Sequence, residues 1–340
     1  MEFITDPLDV RLLDDWQRDL PVTPRPFARI GGALGVGEAE VLERLQRMQA
    51  AGRITRVGGT CAPNTVSAST LAAVAVPVER IENVAAIIGE EPGVNHSYLR
   101  EHRINLWFVA TGPDRAHVDA ALARIAERSA LRVLDLRLVR PFNVDLGFSL
   151  SGAGVAMPPP RPARPEAMVP GDRQILQALT SGMDLVPRPY AAMADKLGRQ
   201  EADILDRVRA LTEAGVIARL GVIVRHRALG WRANAMVVWD IAPERIDAAG
   251  PRLSAHPGVT LCYERTPVEG VWPYRLYSMI HARSRSEAME ILSRAADLPE
   301  LRGVPHRALF SVRCFEQTGA LIPLSQDTAA SLWTRPIAGF

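Results

Sequence analysis

The sequence of 340 residues has few cysteines, a single lysine and no long apolar run. Its cysteines stand far apart, without the paired spacing of zinc, iron–sulfur or disulfide frameworks, and we predict no metal site. No stretch reaches the roughly 18 apolar residues of a membrane-spanning helix, and the acidic start lacks the basic and apolar segments of a signal peptide. We therefore expect a cytoplasmic protein with no membrane association.

The charge balance is close to neutral. Forty basic residues face 38 acidic ones, for a net charge of +2, and Lys196 is the only lysine. Such a balance provides no long-range field to attract nucleic acid. The excess of arginine fits either a GC-rich genome or the bidentate binding of carboxylates, and the composition leaves both readings open.

The chain contains two copies of one sequence unit. The segment "EAEVLERLQRMQAAGRITRVGG" at 38–59 aligns without gaps to "EADILDRVRALTEAGVIARLGV" at 201–222, a shift of 163 positions. Further on, "PGVNHSYLRE" from Pro92 aligns with "PGVTLCYERT" from Pro257. A chain of this length also exceeds one hydrophobic core, so a duplicated multidomain protein is expected.

Each copy follows the same pattern of elements. Apolar residues at helical spacing, broken by turns and followed by a short strand, predict a winged helix-turn-helix. The order strand-helix-strand-strand-helix-strand that follows is ferredoxin-like. We predict an α+β fold, with the two copies packed as a pseudo-dimer. The expected boundaries are 1–62 and 172–226 for the helix-turn-helix regions, 63–150 and 227–325 for the ferredoxin-like domains, 151–171 for a Pro-rich linker, and 326–340 for a tail.

This unit resembles the Lrp/AsnC family of transcription regulators. A helix that enters the major groove reads bases with its N-terminal residues. Here those turns carry carboxylates, which phosphates would repel: Glu38, Glu40 and Glu43 in the first copy, and Glu201, Asp203 and Asp206 in the second. We therefore do not expect DNA binding, and a regulator that senses a heme or an amino acid is kept as the alternative.

One strand has a polar face that does not suit a core. In "VNHSYLREHRINLWFV", residues 94–109, the two-residue period of a strand groups His96, Tyr98, Arg100 and His102 on one side. The second copy offers "CYERTPVEGVWPYRLYSMIHAR" at 262–283, which is also rich in aromatic and Arg residues. We interpret these strands as the wall of a ligand site.

The two stretches together resemble the signature of siroheme decarboxylases, the Lrp-like enzymes of d-type heme and alternative heme synthesis. That family occurs as two related chains or as their fusion, and this chain is similar to the fused form over nearly its full length. The resemblance implies that siroheme, as substrate, loses two acetate carboxyl groups to give didecarboxysiroheme, with no added organic cofactor. It leaves open a homodimer of the fused chain or contact with other proteins of the tetrapyrrole pathway.

A flat macrocycle fringed with carboxylates needs an apolar slot and Arg or Tyr donors at its rim. The residues that we expect to deliver protons are His96, His102, Tyr98 and His281. Those that we expect to bind substrate are Arg100, Asn105, Trp107, Tyr263, Arg265, Trp272, Tyr274, Arg275 and Tyr277. Because His96 aligns with Leu261, the halves should be unequal. We favour the second copy for ring binding since it has more aromatic and Arg residues, although the first has more histidines.

Overall fold

The computed structural model describes residues 6–143, 162–319 and 322. They form two compact units. One contains the helix-turn-helix regions of both copies, within 6–65 and 162–232, and the other contains the ferredoxin-like parts, within 66–143 and 233–322. The predicted tail at 326–340 and the predicted linker as far as residue 161 lie outside the described residues. The rest of that linker, 162–171, contains a short 3-10 turn at Pro165–Ala167.

The first copy follows the predicted order of elements. Its described helices and strands are α1 (Pro7–Asp15), α2 (Pro26–Leu34), α3 (Glu38–Ala50), β1 (Ile54–Cys61), β2 (Ala68–Val74), α4 (Ile81–Gly89), β3 (Val94–Arg100), β4 (Leu106–Gly112), α5 (Arg115–Ser129), β5 (Val133–Leu136) and β6 (Leu138–Asn143).

The second copy repeats this order with one long final strand. Its described helices and strands are α6 (Asp172–Ser181), α7 (Pro189–Leu197), α8 (Glu201–Glu213), β7 (Ile217–Val224), β8 (Ala233–Trp239), α9 (Ile246–Ser254), β9 (Val259–Arg265), β10 (Leu276–Ala282), α10 (Arg285–Ala296) and β11 (His306–Gln317).

Matching local signals begin and end the short helices of the two copies. Pro26 and Pro189 occupy the first positions of α2 and α7, where a fixed φ favours the helix and a missing N–H costs nothing. Gly35 and Gly198 end the same helices with positive φ, a conformation that glycine adopts without steric penalty. The sequence repeat thus reproduces the same local geometry twice.

The short strand that follows each helix-turn-helix pairs with its counterpart in the other copy. β1 and β7 form a two-stranded antiparallel sheet with each other, so each copy supplies one strand to a joint structure. Gly58 lies opposite Gly221 in this register. A Cβ on Gly58 would lie 2.2 Å from the carbonyl oxygen of Leu179, and one on Gly221 would lie 2.3 Å from that of Gln17. The glycines therefore allow the backbones near α1 and α6 to approach the sheet.

The second unit contains a nine-stranded sheet in the order β5-β2-β4-β3-β11-β8-β10-β9-β6. The ferredoxin-like order is confirmed, but the final strand of each copy extends into the other copy. β5 pairs with β2, and β6, one residue further on, pairs with β9 of the second copy. In the same way β11 pairs first with β8 and then with β3. Because β5 and β6 are consecutive and occupy the two ends of the order, the strands close into a ring.

The buried residues of this unit fall into three clusters. Two clusters lie between a copy's helices and its strands, and are centred on residues such as Phe108 and Ile125 in the first copy and Trp239 and Ile291 in the second. The third lies on the other face of the strands and draws on both copies, with Leu71 and Trp107 against Tyr277 and Leu309. This shared inner face is where the predicted site residues meet. Among the described helices, none combines the length and the apolar character needed to cross a bilayer.

We expect Gly221→Ala to lower the free energy of unfolding by about 1–3 kcal/mol, because the added methyl group overlaps backbone atoms that cannot move independently. Denaturant unfolding followed by circular dichroism measures this. Gly32→Ala on α2 is the matched control, since its Cβ meets nothing within 4 Å and alanine is the better helix former by about 1 kcal/mol. Equal stability of the two variants would contradict the close approach.

Candidate functional site

The inner face of the ring of strands is a wall built by both copies. On β3, His96 and Tyr98 lie opposite Val109 and Trp107 of β4, and Arg100 follows at the end of the strand. From the second copy, β9 and β10 bring Tyr263 and Tyr277 to the same apolar cluster, and the loop between these strands adds Trp272. The predicted site residues of both copies therefore lie on one face, and the preference for the second copy in ring binding stays a prediction.

Aromatic rings make up the apolar part of this wall. The ring centroids of Trp107 and Trp272 are 5.2 Å apart, and those of Tyr263 and Tyr277 are 5.8 Å apart in a stacked arrangement. Trp272 donates its indole N–H to the hydroxyl oxygen of Tyr277 at 2.8 Å, and its ring meets that of Tyr274 at 4.7 Å. Burial raises the pKa of the Tyr277 phenol, so this hydroxyl stays protonated at neutral pH.

Two arginines, Arg100 buried and Arg265 half-buried, occupy equivalent positions on this face. Arg100 donates from Nη1 to the carbonyl oxygen of Leu309 at 3.1 Å, and Arg265 donates from Nη1 to that of Leu136 at 2.7 Å. Each guanidinium is thus anchored on a backbone carbonyl of the other copy, Arg100 on β11 and Arg265 on the last residue of β5. Each also lies near the ring of the tyrosine two residues before it, at 5.6 Å for Arg100 over Tyr98 and 4.6 Å for Arg265 over Tyr263.

Neither arginine has a carboxylate as a direct partner among the described residues, although the charge of Asp135 acts on Arg265 from further away. In the part of the chain that the structure describes, neither forms an ion pair with a carboxylate, and the Nε–H of each is buried without an acceptor. Burial lowers the pKa of Arg100 to about 10 and lowers that of Arg265 as well. Both remain cations at neutral pH, and burying an unpaired cation costs several kcal/mol. An anionic ligand would offset that cost.

His96 is held in place by its neighbour in the chain. Its Nδ1 is 2.8 Å from Oδ1 of Asn95, an acceptor, so Nδ1 carries a hydrogen. The ring stacks near Tyr98, with centroids 6.5 Å apart. His96 and Tyr98 are both half-buried, which places them between the apolar cluster and solvent.

His102 lies beyond the end of β3 and not on its face as predicted, because the chain turns back toward β4 after Arg100. Its Nδ1 accepts the backbone N–H of Ile104 at 3.0 Å, which leaves the proton on Nε2. The ring packs edge-on against Trp272 at 5.3 Å. Burial, together with the charges of Arg307 and Arg103, lowers the pKa of His102 below its ordinary value, so the neutral form is favoured.

His281 has both ring nitrogens in hydrogen bonds inside the protein. Nε2 is 2.9 Å from Nδ2 of Asn234, and Nδ1 is 2.8 Å from Oγ1 of Thr260. Asn234 and Thr260 were not predicted from the sequence, since amide and hydroxyl side chains at these positions resemble ordinary strand residues. Their signal is the alignment of the copies, where Asn234 corresponds to Ser69 and Thr260 to Asn95.

Two other predicted residues use their polar groups to bind the backbone and not the inner face. Asn105 binds both backbone polar atoms of Val76, each at 2.9 Å, so its amide stabilises a connection. Trp107 donates its indole N–H to Ile104, and its ring alone faces the wall. Arg275 is half-buried at the start of β10. Arg307, which sequence reasoning missed, donates from Nε to the hydroxyl oxygen of Tyr274 at 2.8 Å at the edge of the face.

Comparison with known proteins identifies the family. The description "AsnC-like ligand binding domain" matches residues 66–142 and 228–316, and "Siroheme decarboxylase NirDL-like HTH domain" matches 9–54 and 172–217. The siroheme decarboxylase NirDL subunit of Paracoccus denitrificans is 56% identical over 317 residues, covering 93% of this chain and 98% of that protein. This chain belongs to the siroheme decarboxylase NirDL family.

Two further relatives bear on the NirDL architecture. The siroheme decarboxylase NirD subunit of Stutzerimonas stutzeri is 48% identical over 145 residues, which are 43% of this chain and 95% of that subunit. A crystal structure of siroheme decarboxylase NirDL in co-complex with an iron-uroporphyrin III analogue superposes with a TM-score of 0.66 at 25% identity, covering 95% of this chain and 96% of that chain. The NirDL family thus accounts for the duplication and for the fold of the whole chain.

Arg100→Met should raise the free energy of unfolding of the ligand-free protein by about 1–4 kcal/mol, because it replaces a buried unpaired cation by an apolar side chain of similar length. Denaturant unfolding at neutral pH measures the change. The control is Arg11→Met, since Arg11 is exposed and its ion pair among the described residues is with Asp15 across one helical turn. A less stable Arg100→Met protein would show that the cation is compensated within the fold.

The lowered pKa of His102 makes stability depend on pH. The unfolded chain takes up a proton near pH 6.5 while the folded chain does so at lower pH, so stability is fully present above about pH 6.5 and falls as the pH drops below it. His102→Asn keeps an acceptor for the Ile104 N–H and removes the titration. We expect the loss of unfolding free energy between pH 7 and pH 5 to be smaller in this variant than in the wild type, and an equal loss would contradict the argument.

Proposed function

We propose that this chain is a siroheme decarboxylase that removes two acetate carboxyl groups from siroheme to give didecarboxysiroheme, on the route to d-type heme or another heme. The observation that carries the proposal is the pair of guanidiniums of Arg100 and Arg265, each with a buried Nε that has no acceptor in the described protein, on a wall of aromatic rings that both copies build. Membership of the NirDL family supports the same substrate.

The chemistry of this wall suits an iron tetrapyrrole with a carboxylate rim. Stacked aromatic side chains provide an apolar surface for a flat macrocycle. Guanidinium groups bind carboxylates through paired N–H donors, and Nε together with one Nη forms such a pair. The Nε atoms of Arg100 and of Arg265 are buried without a protein acceptor. Substrate carboxylates would supply the missing hydrogen-bond acceptors.

The reaction requires a proton and no oxidant. The bond between the methylene carbon and the carboxylate breaks, carbon dioxide leaves, and the electron pair stays on the methylene carbon with delocalisation into the pyrrole ring. A proton added at that carbon gives the methyl group. An arginine on the departing carboxylate would stabilise the ground state more than the transition state. We therefore assign Arg100 and Arg265 to carboxylates that stay on the substrate and orient the reacting acetate.

His96 is the best proton donor among the predicted candidates. Its Nδ1–H is held by Oδ1 of Asn95, and its half-buried ring lies on the same strand face as Arg100, beside the proposed carboxylate site. His102 favours the neutral form, and the nitrogens of His281 are both committed to protein partners. Tyr98, next to His96 and Arg100, is the second candidate because a nearby cation favours loss of a phenolic proton.

The proposal includes a cytoplasmic location and a working unit that consists of one fused chain. Cys61, Cys262 and Cys314 are free thiols, which agrees with a reducing compartment. Since a separate NirD subunit corresponds to about half of this chain, the fused chain supplies both halves of the wall by itself. We propose that it works as this internal pseudo-dimer. Pairing of two fused chains, or contact with other tetrapyrrole enzymes, would add to this unit and is not required for it.

DNA regulation is not part of the proposal. In the first turns of α3 and α8, Glu38 pairs with Arg25 and Glu201 with Arg188, so these arginines neutralise carboxylates and are not directed at phosphates. The identical pairing in both copies supports a structural role for these helix starts.

Anaerobic incubation with siroheme, followed by mass analysis of the extracted tetrapyrrole, tests the function. We expect the loss of two carbon dioxide units, about 88 mass units from the masses of the atoms, and we expect His96→Gln to slow it by roughly 100-fold or more, the contribution typical of a general acid. Arg11→Met is the matched surface control.

Tight binding of siroheme without any change in mass would contradict the decarboxylase and indicate a tetrapyrrole sensor or carrier. A shift of DNA in a low-salt gel, where weak nonspecific binding is visible, would favour the regulator.

A further inference from the structure

Four side chains form a polar row across four neighbouring strands of the inner face. His281 on β10 pairs with Asn234 on β8, and Ser311 on β11 pairs with Arg100 on β3. Ser311 donates its hydroxyl to Oδ1 of Asn234 at 3.3 Å, which joins the two pairs. Arg100 donates from Nη1 to the same oxygen at 3.4 Å. The row therefore connects a buried guanidinium of the first copy to a buried imidazole of the second.

The donors and acceptors in this row have one consistent arrangement. Because Oδ1 of Asn234 accepts from Arg100 and Ser311, its Nδ2 is the end that faces His281, so Nε2 of His281 accepts. The ring proton then lies on Nδ1 and is donated to Oγ1 of Thr260. Thr260 in turn donates to the carbonyl oxygen of Met279 at 3.2 Å. One amide thus fixes both the direction of Arg100 and the tautomer of His281.

The equivalent row in the other half lacks these groups. Thr111 pairs with Ser69, and Leu138 pairs with Arg265. Serine replaces the amide, threonine replaces the imidazole, and leucine takes the place of Ser311 between the strands. A hydrogen-bonded connection to Arg265 is interrupted at Leu138 because its side chain has no polar atom. The two arginines are equivalent in position and anchoring but not in what surrounds them.

We propose that Asn234 is a positioning residue that holds Arg100 and His281 in a single geometry, and that this makes the Arg100 end of the wall the place where carboxyl groups leave. The inference rests on the proposed function. The Arg265 end then holds carboxylates without reaction. His96, the proton donor proposed above, lies on the same strand face as Arg100, while Leu261 occupies its position in the other half.

The physical reason is orientation of the substrate. A guanidinium that is free to rotate binds a carboxylate in several directions, whereas one held by Leu309 and Asn234 leaves Nε and the remaining Nη pointing one way. Fixing one rim carboxylate in that direction fixes the distance between the neighbouring acetate and His96. Loss of the amide should therefore reduce turnover more than affinity.

The test is Asn234→Ser, which installs the residue of the other half, with Ser69→Ala on β2 as the matched control. Steady-state release of carbon dioxide from siroheme gives kcat and KM, and a siroheme absorbance titration gives binding. For Asn234→Ser we expect kcat to fall roughly 10-fold to 100-fold with KM and binding within about 3-fold, the range seen when supporting hydrogen bonds are removed. For Ser69→Ala we expect both parameters within about 3-fold of the wild type.

A second readout does not depend on turnover. Nitrogen-15 chemical shifts of labelled histidine, with His281 assigned through a His281→Gln variant, report the tautomer directly. We expect the Nδ1–H form in the wild type and a mixture of tautomers in Asn234→Ser.

Unchanged kcat in Asn234→Ser, an equal fall in Ser69→Ala, or a wild-type His281 with its proton on Nε2 would each overturn the positioning role. Absence of carbon dioxide release from the wild type would instead refute the proposed function, whatever the tautomer.

Discussion

The exchange of final strands between the copies is the constraint on which this structure depends. β6 adds to the strands of the second copy and β11 adds to those of the first, which closes the strands into one ring. Without the exchange, each sheet would expose an edge and an apolar inner face. β11 also carries the carbonyl group of Leu309 that anchors Arg100, and β5, which leads directly into β6, carries the carbonyl group of Leu136 that anchors Arg265. Fold and site therefore share one set of contacts.

The second determinant is the cost of the charges placed on that inner face. The buried guanidinium of Arg100 and the half-buried one of Arg265, which have no directly bound carboxylate among the described residues, reduce stability. The aromatic and apolar residues around them recover it through buried area. A protein keeps such an arrangement where an anion binds, because the interaction with a ligand is strongest where water is excluded. The carboxylate-fringed substrate of the NirDL family has the complementary charge.

The repeated sequence predicted the larger part of this architecture. Periodicity gave the helices, the two-residue period grouped His96, Tyr98 and Arg100, and the alignment of the copies paired Arg100 with Arg265. The crossing of β6 and β11 was not predictable, since strand periodicity is the same whichever copy a strand joins. His102 was assigned to a strand because the pattern does not show where a strand ends. Asn234 and Thr260 acquire meaning only through contacts that distant segments make.

The central claim is that a tetrapyrrole lies on the shared inner face with its carboxylates on Arg100 and Arg265. A crystal structure of this chain with an iron tetrapyrrole that carries acetate groups tests it most directly. The account predicts carboxylate oxygens within about 3 Å of Nε of Arg100 and of Arg265, with the macrocycle against Trp107, Trp272 and Tyr277. A macrocycle bound elsewhere, or one that leaves both guanidiniums without a carboxylate, would contradict it.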